Sequence, residues 1–97
     1  MKTTVTSRHF RASDTLKGYA QTEVSRLDRH FDSILECEVI LSYDVHQNKT
    51  AEVVIHVPGE RLLAEETTDD FHKSMDLAVL KLEKQVQRYK ERLKKKH

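Results

Sequence analysis

The hydrophobic residues of the chain follow two different periods, and each period indicates one type of secondary structure. In Glu36–Val45 an apolar residue stands at every second position from Cys37 to Val45, as in a strand with one buried face. Similar but shorter patterns predict three further strands, at about Thr3–Ser7, Ala51–Val57 and Arg61–Thr67. Apolar residues at helical spacing predict two helices, at about Asp14–His30 and Thr68–Lys96.

Signals at the ends of these segments support their boundaries. Ser13 can cap the first helix, and Asp14 in its first turn suits the helix dipole. Thr68–Asp70 likewise offers a capping side chain and negative charge to the start of the second helix. Pro58–Gly59 fits the central positions of a type II turn, where glycine accepts a positive φ. Gln47–Lys49 predicts the other hairpin turn.

The element order β-α-β-β-β-α restricts the topology. The crossover through the first helix makes the first two strands parallel if they are adjacent, and short connections make the other pairs antiparallel. Each helix has one apolar stripe and each strand one apolar face. We therefore predict an α+β two-layer sandwich, with a four-stranded mixed sheet and both helices on one face. A length of 97 residues, 37% of them hydrophobic, predicts a single domain over residues 1–97.

The second helix carries two stripes of different character. Its apolar stripe consists of Phe71, Met75, Ala78, Leu82, Val86, Tyr89 and Leu93. Its basic stripe consists of Lys73, Lys81, Lys84, Arg88, Arg92 and Lys95. Residues 81–97 hold eight Lys or Arg and two Glu, whereas residues 1–80 hold nine Lys or Arg and fourteen Asp or Glu. A basic helix end therefore accompanies an acidic body.

Such a charge distribution predicts an anionic partner. Arg26 and Arg29 of the first helix would widen the basic stripe if the helices lie side by side. The stripe has no interleaved aromatic residues for stacking on single strands, and no recognition-helix motif for DNA is present. We interpret the stripe as a phosphate-binding face for structured RNA, with no DNA partner. A solvated helix end that complements its own dipole is the alternative.

Catalytic and metal-binding motifs are absent from the sequence. The histidines form neither HxH nor HExxH spacing. His46 and His56 could face each other across the central hairpin, but a solvent-facing strand pair explains that equally well. Cys37 lies on the period of an apolar face, which favours a packed thiol over a nucleophile. The acidic residues near the second helix suit helix-start electrostatics better than a cation site; they are Glu65, Glu66, Asp69 and Asp70. We predict no catalytic residues, metal or cofactor.

An acylphosphatase-like enzyme is the catalytic alternative at this length. It needs a glycine-rich cradle with an arginine after the first strand, but Ser7–Ser13 offers Arg8 and Arg11 without a glycine. The sequence also shows no apolar leader and no run of apolar residues long enough for a membrane span. We therefore predict a cytosolic protein that is not an enzyme and has no membrane partner.

The chain resembles the short bacterial ribosome hibernation promoting factors, a family also called ribosome-associated inhibitors or sigma-54 modulation proteins. The resemblance covers the opening strand, the helix ending in Arg26–Asp32, the Glu36–Val45 strand and the Pro58–Gly59 hairpin. Its strongest part is Asp70–Val86, similar to the signature Asp-Met-Tyr-x-Ala-Ile-Asp … Lys-Leu-x-Arg-Gln-Leu. Matching residues are Asp70, Asp76, Lys81, Leu82 and Gln85. Departures include Phe71, His72, Met75, Lys84 and Val86, and His72 replaces an aromatic residue that carries a hydroxyl.

The resemblance implies a fold similar to a double-stranded-RNA-binding domain. It also implies binding to the small ribosomal subunit in the channel for messenger and transfer RNA, which silences translation in stationary phase or stress. The ribosomal RNA contacts carried over from the family are Lys81, Lys84, Gln85 and Arg88. The contacts predicted from the charge pattern are Arg92, Arg26, Arg29, Lys73 and Lys95.

Short members of this family support ribosome dimers together with a small ribosome modulation factor, which the resemblance implies as a second partner. The chain stops at His97 without the dimerisation domain of the long form, and it ends in lysines where the inhibitor paralogue has an acidic tail. We therefore expect the short promoting form, a monomer when free. A protein-binding modulator of a transcription sigma factor is the alternative function.

Overall fold

Six elements follow one another in the predicted order β-α-β-β-β-α. The computed structural model describes residues 1–95, and Lys96 and His97, with the predicted helix end at Lys96, lie outside the described residues. The elements are β1 (Lys2–Arg8), α1 (Asp14–His30), β2 (Glu36–Tyr43), β3 (Lys49–Val57), β4 (Glu60–Thr68) and α2 (Phe71–Lys95).

The four strands lie in sequence order in one mixed sheet. β1 pairs in parallel with β2, and the pairs β2–β3 and β3–β4 are antiparallel. Val5, Val39, Val53 and Ala64 form one row across the sheet. Both helices pack on the face that carries this row, which confirms the predicted α+β two-layer fold.

The core lies between this sheet face and the two helices. Leu27 of α1, Leu41 of β2 and Leu82 of α2 are all fully buried, and each contributes about 1.5–3 kcal/mol through the hydrophobic effect. Six residues of the predicted apolar stripe are buried, but Leu93 is 37% exposed because α2 leaves the core after Tyr89. Ser74 is buried as well, and its hydroxyl donates to the Lys49 carbonyl oxygen at 2.7 Å.

The connection between β2 and β3 differs from the prediction. Val45, predicted on the buried face, is 92% exposed. The reason is the Asp44 carboxylate, which accepts hydrogen bonds from the backbone N–H groups of His46 and Asn48 at 2.8 and 2.9 Å and so ends the strand. These bonds lower the pKa of Asp44. The turn therefore precedes Lys49, which already belongs to β3.

This turn also separates two histidines for which the sequence left a facing arrangement open. His46 lies in the turn, whereas His56 pairs with Glu36 near the other end of β2. His46 and His56 therefore do not face each other across the hairpin.

A side chain caps the N-terminus of each helix. Ser13 caps α1 as predicted, and its hydroxyl accepts a hydrogen bond from the Leu16 N–H at 3.1 Å. Thr68 is the last residue of β4 rather than the start of α2. Asp70 supplies the cap instead, because its carboxylate accepts from the His72 N–H at 2.8 Å. Gly59 has φ of 87°, as the predicted turn requires.

Candidate nucleic-acid interface

α2 has an inner face on the sheet, one flank on α1 and one flank on β4. On the α1 flank, the Glu83 carboxylate contacts Arg26 Nη2 and His30 Nε2, each at 2.7 Å. On the β4 flank, Gln85 Nε2 donates to the Leu63 carbonyl oxygen at 2.8 Å. This bond caps a carbonyl on the edge strand of the sheet. Between the flanks, the described part of α2 has an outer face of exposed side chains.

Four members of the basic stripe stand exposed, and they form what we call the exposed quartet. They are Lys73, Lys84, Arg88 and Lys95. Within residues 1–95, none of the four forms an ion pair or a side-chain hydrogen bond. Their charges are therefore available to an outside anion.

The two other members of the basic stripe already have anionic partners on β4. Lys81 Nζ lies 2.5 Å from Glu66 Oε1, and Arg92 Nη2 contacts the Glu60 carboxylate. Both cationic side chains are more than half exposed, at 57% and 56%. Exposed pairs of this kind contribute about 0–1 kcal/mol, so another anion can replace the carboxylate at low cost.

A shallow groove runs between α2 and β4 beside these pairs, and we call it the edge groove. Its volume is about 420 Å³. It is lined by Glu60, Leu62, Gln85, Arg88 and Arg92. Arg92 also stands over the ring of Tyr89, with its guanidinium carbon 5.8 Å from the ring centroid. Tyr89 in turn donates its hydroxyl to the Pro58 carbonyl oxygen at 2.5 Å, which fixes the end of α2 on the β3–β4 hairpin.

Arg26 and Arg29 do not extend the basic stripe, although the helices lie side by side as expected. Arg26 bridges Glu23 and Glu83 at the α1–α2 contact, at 3.0 and 2.7 Å. Glu83 therefore lies between Arg26 and the cations of the outer face. Arg29 is exposed near the far end of α1, beside Asp32 and Lys90.

Two exposed leucines interrupt the outer face of α2, and the charge pattern gave no weight to them. Leu77 is 37% exposed and Leu80 is 47% exposed. Both leucines lie at helical positions outside the predicted apolar stripe, and this was the sequence signal that could have identified them as exposed. The face therefore offers apolar contact area as well as charge.

Tyr19 of α1 brings a phenol hydroxyl close to His72. Tyr19 donates its hydroxyl to the carboxylate of Asp76, one of the residues that match the family signature. Its ring meets the His72 ring edge-on, with the centroids 4.3 Å apart. Burial, followed by the hydrogen bond to Asp76, raises the pKa of Tyr19, which keeps the phenol protonated.

The reactive residue types offer little chemistry. Cys37 is fully buried, and burial raises the pKa of its thiol to about 12, so the thiol is a core residue as predicted. In the described part of the chain, the one group of side chains close enough to share a metal is Glu36, Glu38 and His56 on the helix-free face. Both glutamates are exposed, so we assign no ion to them. No helix within residues 1–95 has the length and apolar character needed to cross a membrane.

Comparison with known proteins defines the class. Residues 3–94 match the family described as Sigma 54 modulation protein / S30EA ribosomal protein. Because the match spans nearly the whole sequence, this chain belongs to that family, and the resemblance seen in the sequence is confirmed.

Individual relatives give the same result. The chain is 30% identical to the ribosome hibernation promoting factor of Azotobacter vinelandii over 92 residues, which cover 95% of this chain and 85% of the relative. It is 28% identical to the ribosome hibernation promotion factor of Lactococcus lactis, but it spans only 53% of that relative's length.

Solved structures agree with the fold. A ribosomal subunit interface protein from Coxiella burnetii superposes with a TM-score of 0.85 at 26% identity, covering 93% of this chain and 98% of that one. The N-terminal domain of Thermus thermophilus Protein Y superposes with a TM-score of 0.82 at 31% identity, covering 92% and 99%.

Proposed function

We propose that this protein is a ribosome hibernation factor that binds the small ribosomal subunit in the channel for messenger and transfer RNA. It silences and preserves ribosomes in stationary phase or stress. The observation that carries the proposal is the exposed quartet on α2, because cations without internal partners on a rigid helix suit RNA phosphates. The names of the relatives support the same role.

The proposed mechanism is occupation of the channel through phosphate contacts. The apolar stripe holds α2 on the sheet, so the quartet is presented at fixed spacing. From Lys73 to Lys95 it spans about 33 Å at 1.5 Å per residue. Lys84 and Arg88 lie one turn apart, and Arg88 also lines the edge groove. A domain bound in this way excludes messenger and transfer RNA from the same surface. Binding, rather than catalysis, is the activity, and it takes place in the cytoplasm.

Promotion of ribosome dimers with a small modulation factor forms part of the proposal. The sigma-factor modulator remains the second candidate, favoured by the exposed Leu77 and Leu80, which suit contact with another protein. A pull-down that captures sigma factor without ribosomal RNA would support it. A ribosome profile of stationary-phase extract, with and without this protein, tests the dimer role.

The central test is charge reversal on the outer face. The variant Lys84→Glu/Arg88→Glu should no longer sediment with purified small ribosomal subunits while keeping the thermal stability of the parent. The matched control is Lys2→Glu/Arg61→Glu, because these exposed cations end one row across the helix-free face of the sheet. The control should sediment like the parent. Sedimentation of the α2 variant with the subunits would contradict the proposed function.

A further inference from the structure

Carboxylates of β4 lie next to cations of the proposed RNA-binding face of α2. Glu66 holds Lys81 and Glu60 holds Arg92, so two of the six cations of the basic stripe are neutralised before any RNA arrives. Neither contact follows from helix formation, because each joins α2 to a residue of another element. The packing of α2 beside β4 therefore builds acidic partners into this face.

Glu60 differs from Glu66 in its surroundings. It lines the edge groove together with Arg88 and Arg92, whose guanidinium groups can form paired hydrogen bonds with a phosphate. Gln85 lines the same groove, while its amide is fixed to the Leu63 carbonyl oxygen. A phosphate that enters the groove thus meets two arginines and one carboxylate, and it competes with that carboxylate for Arg92.

We propose that Glu60 is a specificity-determining residue, an internal anion that holds Arg92 until an RNA phosphate takes its place in the edge groove. The inference rests on the proposed function. A polyanion that touches only part of the basic stripe gains little from displacing Glu60, since it must also approach the released carboxylate. An RNA that contacts the quartet and the groove together offsets this repulsion. Glu60 therefore weakens incidental RNA binding more than it weakens ribosome binding.

The test compares two substitutions that change the net charge equally. Glu60→Gln releases Arg92, whereas Glu91→Gln removes an exposed carboxylate of α2 that has no ion pair within residues 1–95. Affinity is measured for a short RNA duplex of non-ribosomal sequence and for purified small ribosomal subunits. Thermal unfolding checks the fold, which should persist because an exposed pair contributes little stability.

Near 0.1 M salt, Glu60→Gln should tighten duplex binding on the order of eightfold more than Glu91→Gln, the effect of one additional phosphate contact. The gain in affinity for small ribosomal subunits should be smaller. The ratio of subunit affinity to duplex affinity therefore falls in Glu60→Gln. In an Arg92→Ala background the advantage of Glu60→Gln should disappear, because the residue that Glu60 holds is gone.

Equal effects of Glu60→Gln and Glu91→Gln, with ribosome binding of the parent intact, would overturn the inference and leave the proposed function standing. An effect of Glu60→Gln that persists without Arg92 would overturn it also, since a general charge effect would then explain the gain. Failure of the parent to bind small subunits would contradict the proposed function itself and, with it, the claimed preference for the ribosome.

Discussion

The two flanks of α2 both pair cations with glutamates, but the pairs differ in burial. On the α1 flank, the Glu83 side chain is 14% exposed and bridges Arg26 and His30. On the β4 flank the glutamate side chains are more exposed, Glu66 at 23% and Glu60 at 33%, and their cationic partners are more than half exposed. Water and salt screen exposed pairs far more than buried ones. The same residue types therefore form a structural bridge on one flank and an exchangeable contact on the other.

The largest expected difference is in ribosome binding. Lys84→Ala/Arg88→Ala removes two unpaired cations of the outer face and should weaken binding to small subunits on the order of 50-fold near 0.1 M salt, because two phosphate contacts are lost. Lys90→Ala removes a cation of the α1 flank, whose Nζ donates to the His30 carbonyl oxygen at 2.7 Å. It should leave the affinity nearly unchanged. Equal losses in the two variants, measured by filter binding, would remove the distinction between the surfaces.

The next difference concerns folding stability. Glu83→Gln leaves Arg26 and His30 without their shared carboxylate and should lower the free energy of unfolding by about 1–3 kcal/mol. Glu66→Gln, its counterpart on the β4 flank, should lower it by less than about 1 kcal/mol. Urea denaturation of both variants gives the comparison. A larger loss for Glu66→Gln would show that exposure does not separate the two kinds of pair.

Salt dependence sharpens the comparison within the basic stripe. Lys84→Ala should reduce the slope of log affinity against log salt by about 0.9 for a duplex RNA, the value for one phosphate contact. Arg92→Ala should reduce the slope by clearly less, because Glu60 already neutralises that cation. Titration of both variants from low to high salt provides the two slopes. Identical slopes would mean that the carboxylate has no influence on Arg92 in the complex.

The smallest expected effect is a pH dependence on the α1 flank. Burial, followed by a hydrogen bond with Asp76, raises the pKa of Glu23 in the folded protein. Its favourable contribution is therefore complete below the pKa of an unfolded glutamate and is lost as pH rises through the folded value. Glu23→Gln removes this dependence. The stability of the variant relative to the parent should rise as the pH increases from about 4, the pKa of an unfolded glutamate, through the raised pKa of the folded protein. Parallel stability curves for the two proteins would contradict this assignment.

The sequence predicted the elements well where local chemistry decides them. The bounds of α1 agree with the prediction because Ser13 caps its start and because the apolar spacing of Ala20, Val24 and Leu27 reaches its last turn. The end of β2 was misplaced because alternation continues to Val45, while the side chain of Asp44 stops the strand. Alternation reports which residues suit a strand, but it does not report a turn that a single carboxylate imposes.

The candidate site was predicted less completely. Helical spacing alone places Lys81 and Arg92 in the basic stripe with the other cations. Their glutamate partners lie 15 and 32 residues earlier in the chain, on β4, so only the packing of α2 beside that strand reveals them. The position of Glu83 between Arg26 and the outer face has the same origin. Periodicity fixes a residue's direction around a helix, whereas tertiary packing decides what it meets there.

The order of the elements has a consequence for assembly. β2, β3 and β4 are joined by short turns, whereas β1 pairs with β2 across a long separation, with Lys2 opposite Glu36. Short loops close at a lower entropic cost, so the hairpins can form before β1 is incorporated. α2 is the last of the six described elements, and it packs against β4, α1 and β3, all of which precede it in the chain. During synthesis, the sheet that positions the cations is therefore made before the cations themselves, and a growing chain has no RNA-binding face while it is still short.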